Sequence, residues 1–302
     1  MKQHTFNGQS DGSHLLITGG VHGDEFEPIN AIRQLAGLFR TKSDDVADFR
    51  GRVTLVPIVN EAAFLRGHRC ADDGLDLART CPGKSDGTVT ERTAHALSQL
   101  IQDCDYYIDL HTGGTELCVY PLAGYMLHQD PEILETQRQM AQAFNLPVVW
   151  GTSGELDGRS MSVARDAGVS AIYCEYLGSA TCDANGVTAY VEGCLNVMSE
   201  LGMLERSRPQ DQVQYRIEDP RPASGHMQVR HRSPVDGYFD SAVSIGDCVA
   251  AGAPLGTVYD LEHGTEHIIP SEHDGIVIVL RTFPRVRSGD SAGVVLDLSL
   301  DG

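Results

Sequence analysis

Four side chains in this sequence are of the types that hold metal ions and move protons. His22 and Glu25 lie in "GGVHGDEFEP", His111 in "YYIDLHTGG" and Glu175 in "AIYCEYLG". His22 and Glu25 stand three apart just beyond an apolar run, so a turn into a helix there puts both on one side. His111 closes a second run of buried type. If the strand ends are neighbours, the three form a His₂Glu set with an open fourth position, which suits catalytic zinc. Such an ion lowers the pKa of a water from about 15.7 to roughly 7. Glu175 sits inside an apolar run, where an ionised carboxylate is costly without a partner. Its reading is general base and acid. Asp109, two residues before His111, is a candidate to orient an imidazole. Ordinary turn chemistry competes for the first motif, because Gly and Asp favour turns. The same spacing recurs as "HGTE" at His263 to Glu266, in an expected hairpin tip.

Between these groups runs "VNEAAFLRGHRCADDGLDLARTCPG", residues 59 to 83, with Arg66, Arg69 and Arg79 in an otherwise acid-rich chain. A hydrolytic site needs one fixed cation for an oxyanion and another for a substrate carboxylate, and the planar guanidinium serves both. The competing reading is three surface arginines paired with Asp72, Asp73 and Asp76. Asn60, at a strand end, is a candidate to hold this loop or to touch substrate.

The elements that must position these residues alternate. Strand-like runs are "HLLITGG", "RVTLVPIVN", "DYYIDLHTGG", "LPVVWGT" and "VSAIYCEYLG". Helical periodicity separates them in "PINAIRQLAGLFR", "TVTERTAHALSQLIQ" with Thr88 and Glu91 as a capping box, "PEILETQRQMAQAF" and "YVEGCLNVMSELGML". The alternation predicts an α/β domain over 1–205, a largely parallel sheet with helices on both faces. Ligands in such sheets bind beyond the carboxyl ends of the strands. A polar, Pro-containing linker follows over 206–222. Residues 223–302 then read as short strands punctuated by Gly and Pro, a small all-β domain with two weakly similar halves.

Composition excludes several functions. The 302 residues carry 42 acids against 23 bases, a formal charge of −19, and only three lysines. That balance disfavours nucleic acid or an anionic membrane as partner. No stretch approaches the length of apolar chain that spans a bilayer. Eight cysteines without a CxxC pair read as reduced thiols in a cytoplasmic protein. "CPGKSDGT" holds Gly-Lys-Ser, but a phosphate loop needs glycine where Ala78 stands.

Taken together, His22-Gly-Asp-Glu25, Asp76-Leu-Ala-Arg79-Thr-Cys-Pro-Gly, Asp109-Leu-His111 and Glu175 resemble the succinylglutamate desuccinylase/aspartoacylase family, deacylases on the zinc carboxypeptidase fold. The resemblance covers residues 15 to 200. It implies a mixed sheet flanked by helices and one zinc ion per chain on His22, Glu25 and His111. It also implies Glu175 as catalytic base, Arg69 polarising the scissile carbonyl and Arg79 gripping a substrate carboxylate. The amide that relatives commonly carry immediately before that arginine is replaced here by Ala78. Arg165, ten residues before Glu175, stands where some relatives place a substrate arginine, and Arg159 competes with it. The C-terminal strands are similar to a biotinyl/lipoyl carrier module, yet no lysine follows Lys84, which excludes carrier function. A wall for the cleft or an oligomer contact is the expected role, and the loop with His263, His267 and His273 is a further candidate to reach the cleft. The expected activity is hydrolysis of a small N-acylated amino acid, with possible homo-oligomers. A carboxypeptidase-like peptidase, an esterase and a non-catalytic zinc-binding module are the rivals.

Overall fold

The computed structural model describes residues 1–222, 224–227 and 230–300. Strands β1 (His4–Asn7), β2 (His14–Thr18), β3 (Arg52–Val56), β4 (Tyr106–His111), β5 (Leu117–Met126), β6 (Val148–Thr152), β7 (Ser170–Gly178) and β8 (Tyr215–Glu218) build the first part. Helices α1 (Phe26–Thr41), α2 (Glu61–Arg66), α3 (Val89–Gln102), α4 (Pro131–Phe144), α5 (Ser160–Ala167) and α6 (Ala184–Glu200) are interleaved with them. The central order is β1-β3-β2-β4-β7-β5, with β3, β2, β4 and β7 parallel and β5 antiparallel to β7. The sheet is therefore mixed, as the family resemblance implies.

Side-chain alternation gives the sheet two cores. Leu15 and Ile17, Ile108 and Leu110, Ile172 and Cys174 pack under α1, α4 and α6. Leu16, Tyr107, Ala171 and Tyr173 face the opposite side, under α3 and α5. Because side chains two apart share a face, Thr18, Asp109, His111 and Glu175 all project from this second face. Two ladder pairings then decide the site: Thr18 is the register partner of Asp109, and His111 that of Glu175.

The helices carry their own signals. Thr88 and Glu91 form the expected capping box on α3. Asp130 caps α4 ahead of Pro131, and α1 ends at Lys42 in a left-handed conformation, φ 51°. Within residues 1–205, four strands or α-helices escaped the periodicity reading: β1, β5, α2 and α5. β5 contains Pro121, which interrupts a strand pattern. In the structure it falls at a register shift between Val119 and Leu122, where a missing N–H leaves no ladder bond broken. α2 and α5, at 6 and 8 residues, are too short to display a helical period.

The remaining strands are β9 (Gly237–Ser241), β10 (Cys248–Val249), β11 (Pro254–Asp260), β12 (Thr265–Pro270), β13 (Gly275–Arg281), β14 (Arg285–Val286) and β15 (Gly293–Asp297). β12, β11, β9 and β14 form a four-stranded sheet over a core that includes Phe239, Leu255 and Val258. β13 instead pairs antiparallel with β5, from Val279–Val119 to Arg281–Leu117, and carries β10 and β15 into the large sheet. The C-terminal strands thus share a continuous hydrogen-bonded ladder with the sheet that bears the site.

The turn from β2 into α1 is packed tightly against α2. A Cβ on Gly23 would lie 2.0 Å from the carbonyl carbon of Ala63, so only glycine fits between His22 and the neighbouring backbone. Gly23→Ala is expected to lower the free energy of unfolding by about 1–3 kcal/mol, the usual cost of overpacking. Urea unfolding followed by circular dichroism measures this.

Candidate active site

Glu25 lies at the head of α1, 1% exposed, with one carboxylate oxygen on each of two imidazoles. His22 Nδ1 is 2.6 Å from Oε1 and His111 Nδ1 is 3.1 Å from Oε2. The donor atoms of the three residues fall within 4.8 Å of one another. Two imidazole nitrogens and a carboxylate converging in a buried spot fit a single divalent cation.

Each imidazole presents its far nitrogen to an aspartate. His22 Nε2 lies 3.1 Å from Asp76 Oδ1, and His111 Nε2 lies 3.1 Å from Asp109 Oδ2. Such contacts orient a histidine and raise its basicity toward a metal. Asp109, fully buried, points to the same face as His111, so strand alternation assists its orienting role. Asp76 also receives the fork of Arg69, through Nε at 3.2 Å and Nη2 at 2.9 Å on Oδ2. One aspartate therefore sets the positions of His22 and Arg69 together.

The electrostatics follow from burial and pairing. Burial opposes the charge on Glu25, but the two imidazoles outweigh it and hold the carboxyl well below the usual carboxylate range. Burial likewise opposes ionisation of Asp76, and Arg69 and then His22 overcome it. Glu175 differs. Burial dominates and pushes its carboxyl up to about 8, with only partial relief from His111 and Arg69. Its Oε2 is buried without a hydrogen-bond partner. A carboxylate poised near neutrality beside a polar cluster is the profile of a proton-transfer group.

The cleft around these groups is lined by Arg69, Ala78, Arg79, Arg159, Tyr173 and Glu175, with Leu117, Val119, Met161 and Met227 as apolar walls. Arg159 precedes α5. Burial and the neighbouring Arg79 guanidinium pull it down to about 10, and its polar contacts are the Gly225 carbonyl at 3.3 Å and His226 Nδ1 at 3.3 Å. Its Nε is buried without a partner, as is the Tyr173 hydroxyl.

The structure brings together His22, Glu25, His111, Glu175, Arg69 and Arg79. It places three other candidates elsewhere. Arg165 turns to Asp157 and Asp166, both at 2.8 Å, and to the Gly154 carbonyl, away from the cleft. Helical geometry explains this, because α5 points its first residues at the site and its last turn at solvent; Arg159 takes the place in the cleft. Arg66 bridges Asp72 at 3.0 Å and the Cys70 and Ala71 carbonyls, so it holds the loop. Asn60 caps α2 by accepting from Ala63 N at 3.1 Å. Arg66 and Arg69 pair with Asp72 and Asp76, as the surface reading expects, and Arg69 at the same time lines the cleft. His263 is turned to Asp260 at 2.8 Å, and neither it, His267 nor His273 lines the cleft. Thr18, Ser160, Tyr173, and Gly225 and Met227 from the segment after residue 222 escaped the sequence reading. The pairing of β2 with β4 and the placement of α5 reveal the first two, and the other three come to the cleft from β7 and from the segment before β9.

An α/β sheet with a His₂Glu cluster that could hold a metal ion, a buried carboxylate and convergent arginines at its strand ends is a candidate hydrolytic site. Residues 11–201 match the model of the succinylglutamate desuccinylase/aspartoacylase catalytic domain, and the chain belongs to that family. It is 29% identical over 297 residues to the N-alpha-acetyl-L-2,4-diaminobutyric acid deacetylase of Halomonas elongata, covering 96% of this chain and 84% of that protein. The product-bound ectoine utilization protein EutE (DoeB) of Ruegeria pomeroyi superposes with a TM-score of 0.86 at 26% identity, over 97% of this chain and 87% of that one. A succinylglutamate desuccinylase/aspartoacylase from Rhodobacter sphaeroides gives 0.85 at 27%, over 98% and 87%.

The pH response of the metal-free protein tests the environment of Glu175. A carboxyl raised from 4.5 to about 8 binds more protons folded than unfolded, so it lowers stability as pH rises through that window and not outside it. Glu175→Gln removes the titration. Relative to the parent, the variant is expected to gain stability between pH 5 and pH 8, read from denaturant unfolding in the presence of a chelator.

Proposed function

We propose that this protein is a zinc-dependent amidohydrolase that removes an acyl group from the nitrogen of a small amino-acid-like compound. The observation that carries the reading is the convergence of His22, Glu25 and His111, with Glu175 buried beside them. Relatives named as a deacetylase and a desuccinylase support amide hydrolysis over other chemistries of this fold.

His22, Glu25 and His111 would hold the zinc ion, which when bound supplies Lewis-acid polarisation and an activated water. The residues of the chain do the rest. Arg69, locked by Asp76, presents a fixed cation for charge developing on the carbonyl oxygen. Arg79 and Arg159 face the cleft from two loops and grip the substrate carboxylate. Arg159 fills the role first assigned to Arg165. Glu175 takes a proton from the attacking water and delivers it to the leaving nitrogen at its Oε atoms, a shuttle that its raised affinity for a proton favours. Leu117, Met161 and Met227 exclude water and narrow the site. That narrowing favours a small substrate over the long peptide of a carboxypeptidase-like enzyme. Eight free thiols suit a reducing, cytoplasmic setting.

Glu175→Gln is expected to retain one zinc per chain by metal analysis while hydrolysis of N-acetyl amino acids falls about 10²–10⁴-fold. Retained turnover removes Glu175 from the proton-transfer role. Chelation should abolish activity and added zinc restore it. A panel of N-acetyl, N-succinyl and N-formyl amino acids set against peptides separates deacylase from peptidase, and cleavage of peptides alone would refute the proposal. Arg159→Met is expected to raise KM for the substrate with zinc content unchanged.

A further inference from the structure

Asp109 is the meeting point of hydroxyl groups that the proposed mechanism leaves unused. Thr18 Oγ1 lies 2.8 Å from Asp109 Oδ1 and 2.8 Å from the Tyr107 hydroxyl. Ser160 Oγ, the first residue of α5, donates to Asp109 Oδ2 at 2.5 Å. Tyr107, Thr18, Asp109 and Ser160 are all at most 5% exposed, so no water competes for these bonds.

The directions follow from donor counting. A carboxylate only accepts, so the single proton of Thr18 goes to Asp109, and Tyr107 must donate to the threonine lone pair. Ser160 spends its proton on Oδ2. Asp109 Oδ2 also lies 3.1 Å from His111 Nε2, and because a carboxylate only accepts, this contact favours the tautomer with the proton on Nε2. This leaves His111 Nδ1 aimed at Glu25, the side on which a cation would sit.

We infer that Thr18 and Ser160 are positioning residues: their hydroxyls clamp Asp109 from β2 and from α5, and through it hold the His111 imidazole in the tautomer and orientation that bind metal. The inference rests on the metal-centre reading above. Ser160 adds a second effect. It adjoins Arg159, so the same clamp ties the metal side of the cleft to its anion-binding side. Thr18 touches only the metal side.

Zinc affinity of the metal-stripped protein, measured by competition with a chromophoric chelator, is the test. Thr18→Val keeps the shape and removes the hydroxyl; it is expected to weaken zinc about 10- to 100-fold, as loss of such outer contacts does elsewhere. Thr18→Ser restores the hydroxyl and should bind nearly as tightly as the parent. Ser160→Ala should lose zinc affinity and also raise KM, whereas Thr18→Val should leave KM unchanged once zinc is saturating. Parent-like zinc binding by Thr18→Val, or a Thr18→Ser protein as weak as Thr18→Val, overturns the inference. If Thr18→Val does not fold, Ser160→Ala decides alone, and unchanged affinity there refutes the clamp. Failure of the parent protein to bind stoichiometric zinc overturns the metal-centre reading first, and is seen before any variant is compared.

Discussion

The constraint on which this molecule turns is a carboxylate with almost no contact with water. Glu25 is ionised in a place where an isolated charge would be prohibitively costly, and two imidazoles reached from different strands make it tolerable. His22 comes from the turn after β2 and His111 from the last residue of β4. Neither can move far without leaving that charge unpaired. The adjacency of β2 and β4, the glycine-only turn at Gly23 and the burial of α1 all serve to keep this trio assembled.

Around it the charges are arranged in pairs, each imidazole backed by an aspartate. Asp76 links His22 to Arg69, and Asp109 links His111 to hydroxyls on β2 and α5. The Tyr190 hydroxyl, from α6 on the opposite face of the sheet, donates to the His111 carbonyl and fixes the strand end from behind. Glu175 stands outside this pairing, and that sets it apart chemically: its Oε2 is buried without a hydrogen-bond partner, and His111 and Arg69 relieve its burial only in part. Among the carboxylates of this site, Asp76, Asp109 and Glu25 are held by cations or donors, which leaves Glu175 as the one with raised proton affinity.

The C-terminal strands bear on this cleft through structure more than through chemistry. β13 extends the ladder of β5, and β5 borders β7, the strand that carries Glu175. The segment leading into those strands places Gly225 and Met227 on the cleft and gives Arg159 its carbonyl and imidazole contacts. The narrowness of the site is therefore a property of both parts of the chain.

Much of this was legible in the residues. Short, largely apolar runs marked β2, β3, β4, β6 and β7, because strands buried on both faces leave little room for polar side chains. His22, Glu25, His111 and Glu175 stood out because polar groups at the ends of, or within, such runs are expensive and demand a reason. What local pattern could not express was which strand neighbours which, and where short helices begin. Arg165 and Arg159 are six residues apart and alike in type; only the direction in which α5 starts separates a cleft residue from a surface one. β5 hid behind Pro121, Asn60 turned out to cap a helix too brief to show a period, and the hydroxyls of Thr18 and Ser160 gained meaning only when β2 and α5 came to rest on either side of Asp109. Residue chemistry is a property of the chain, whereas proximity between groups about 90 positions apart exists only once the sheet has closed on itself.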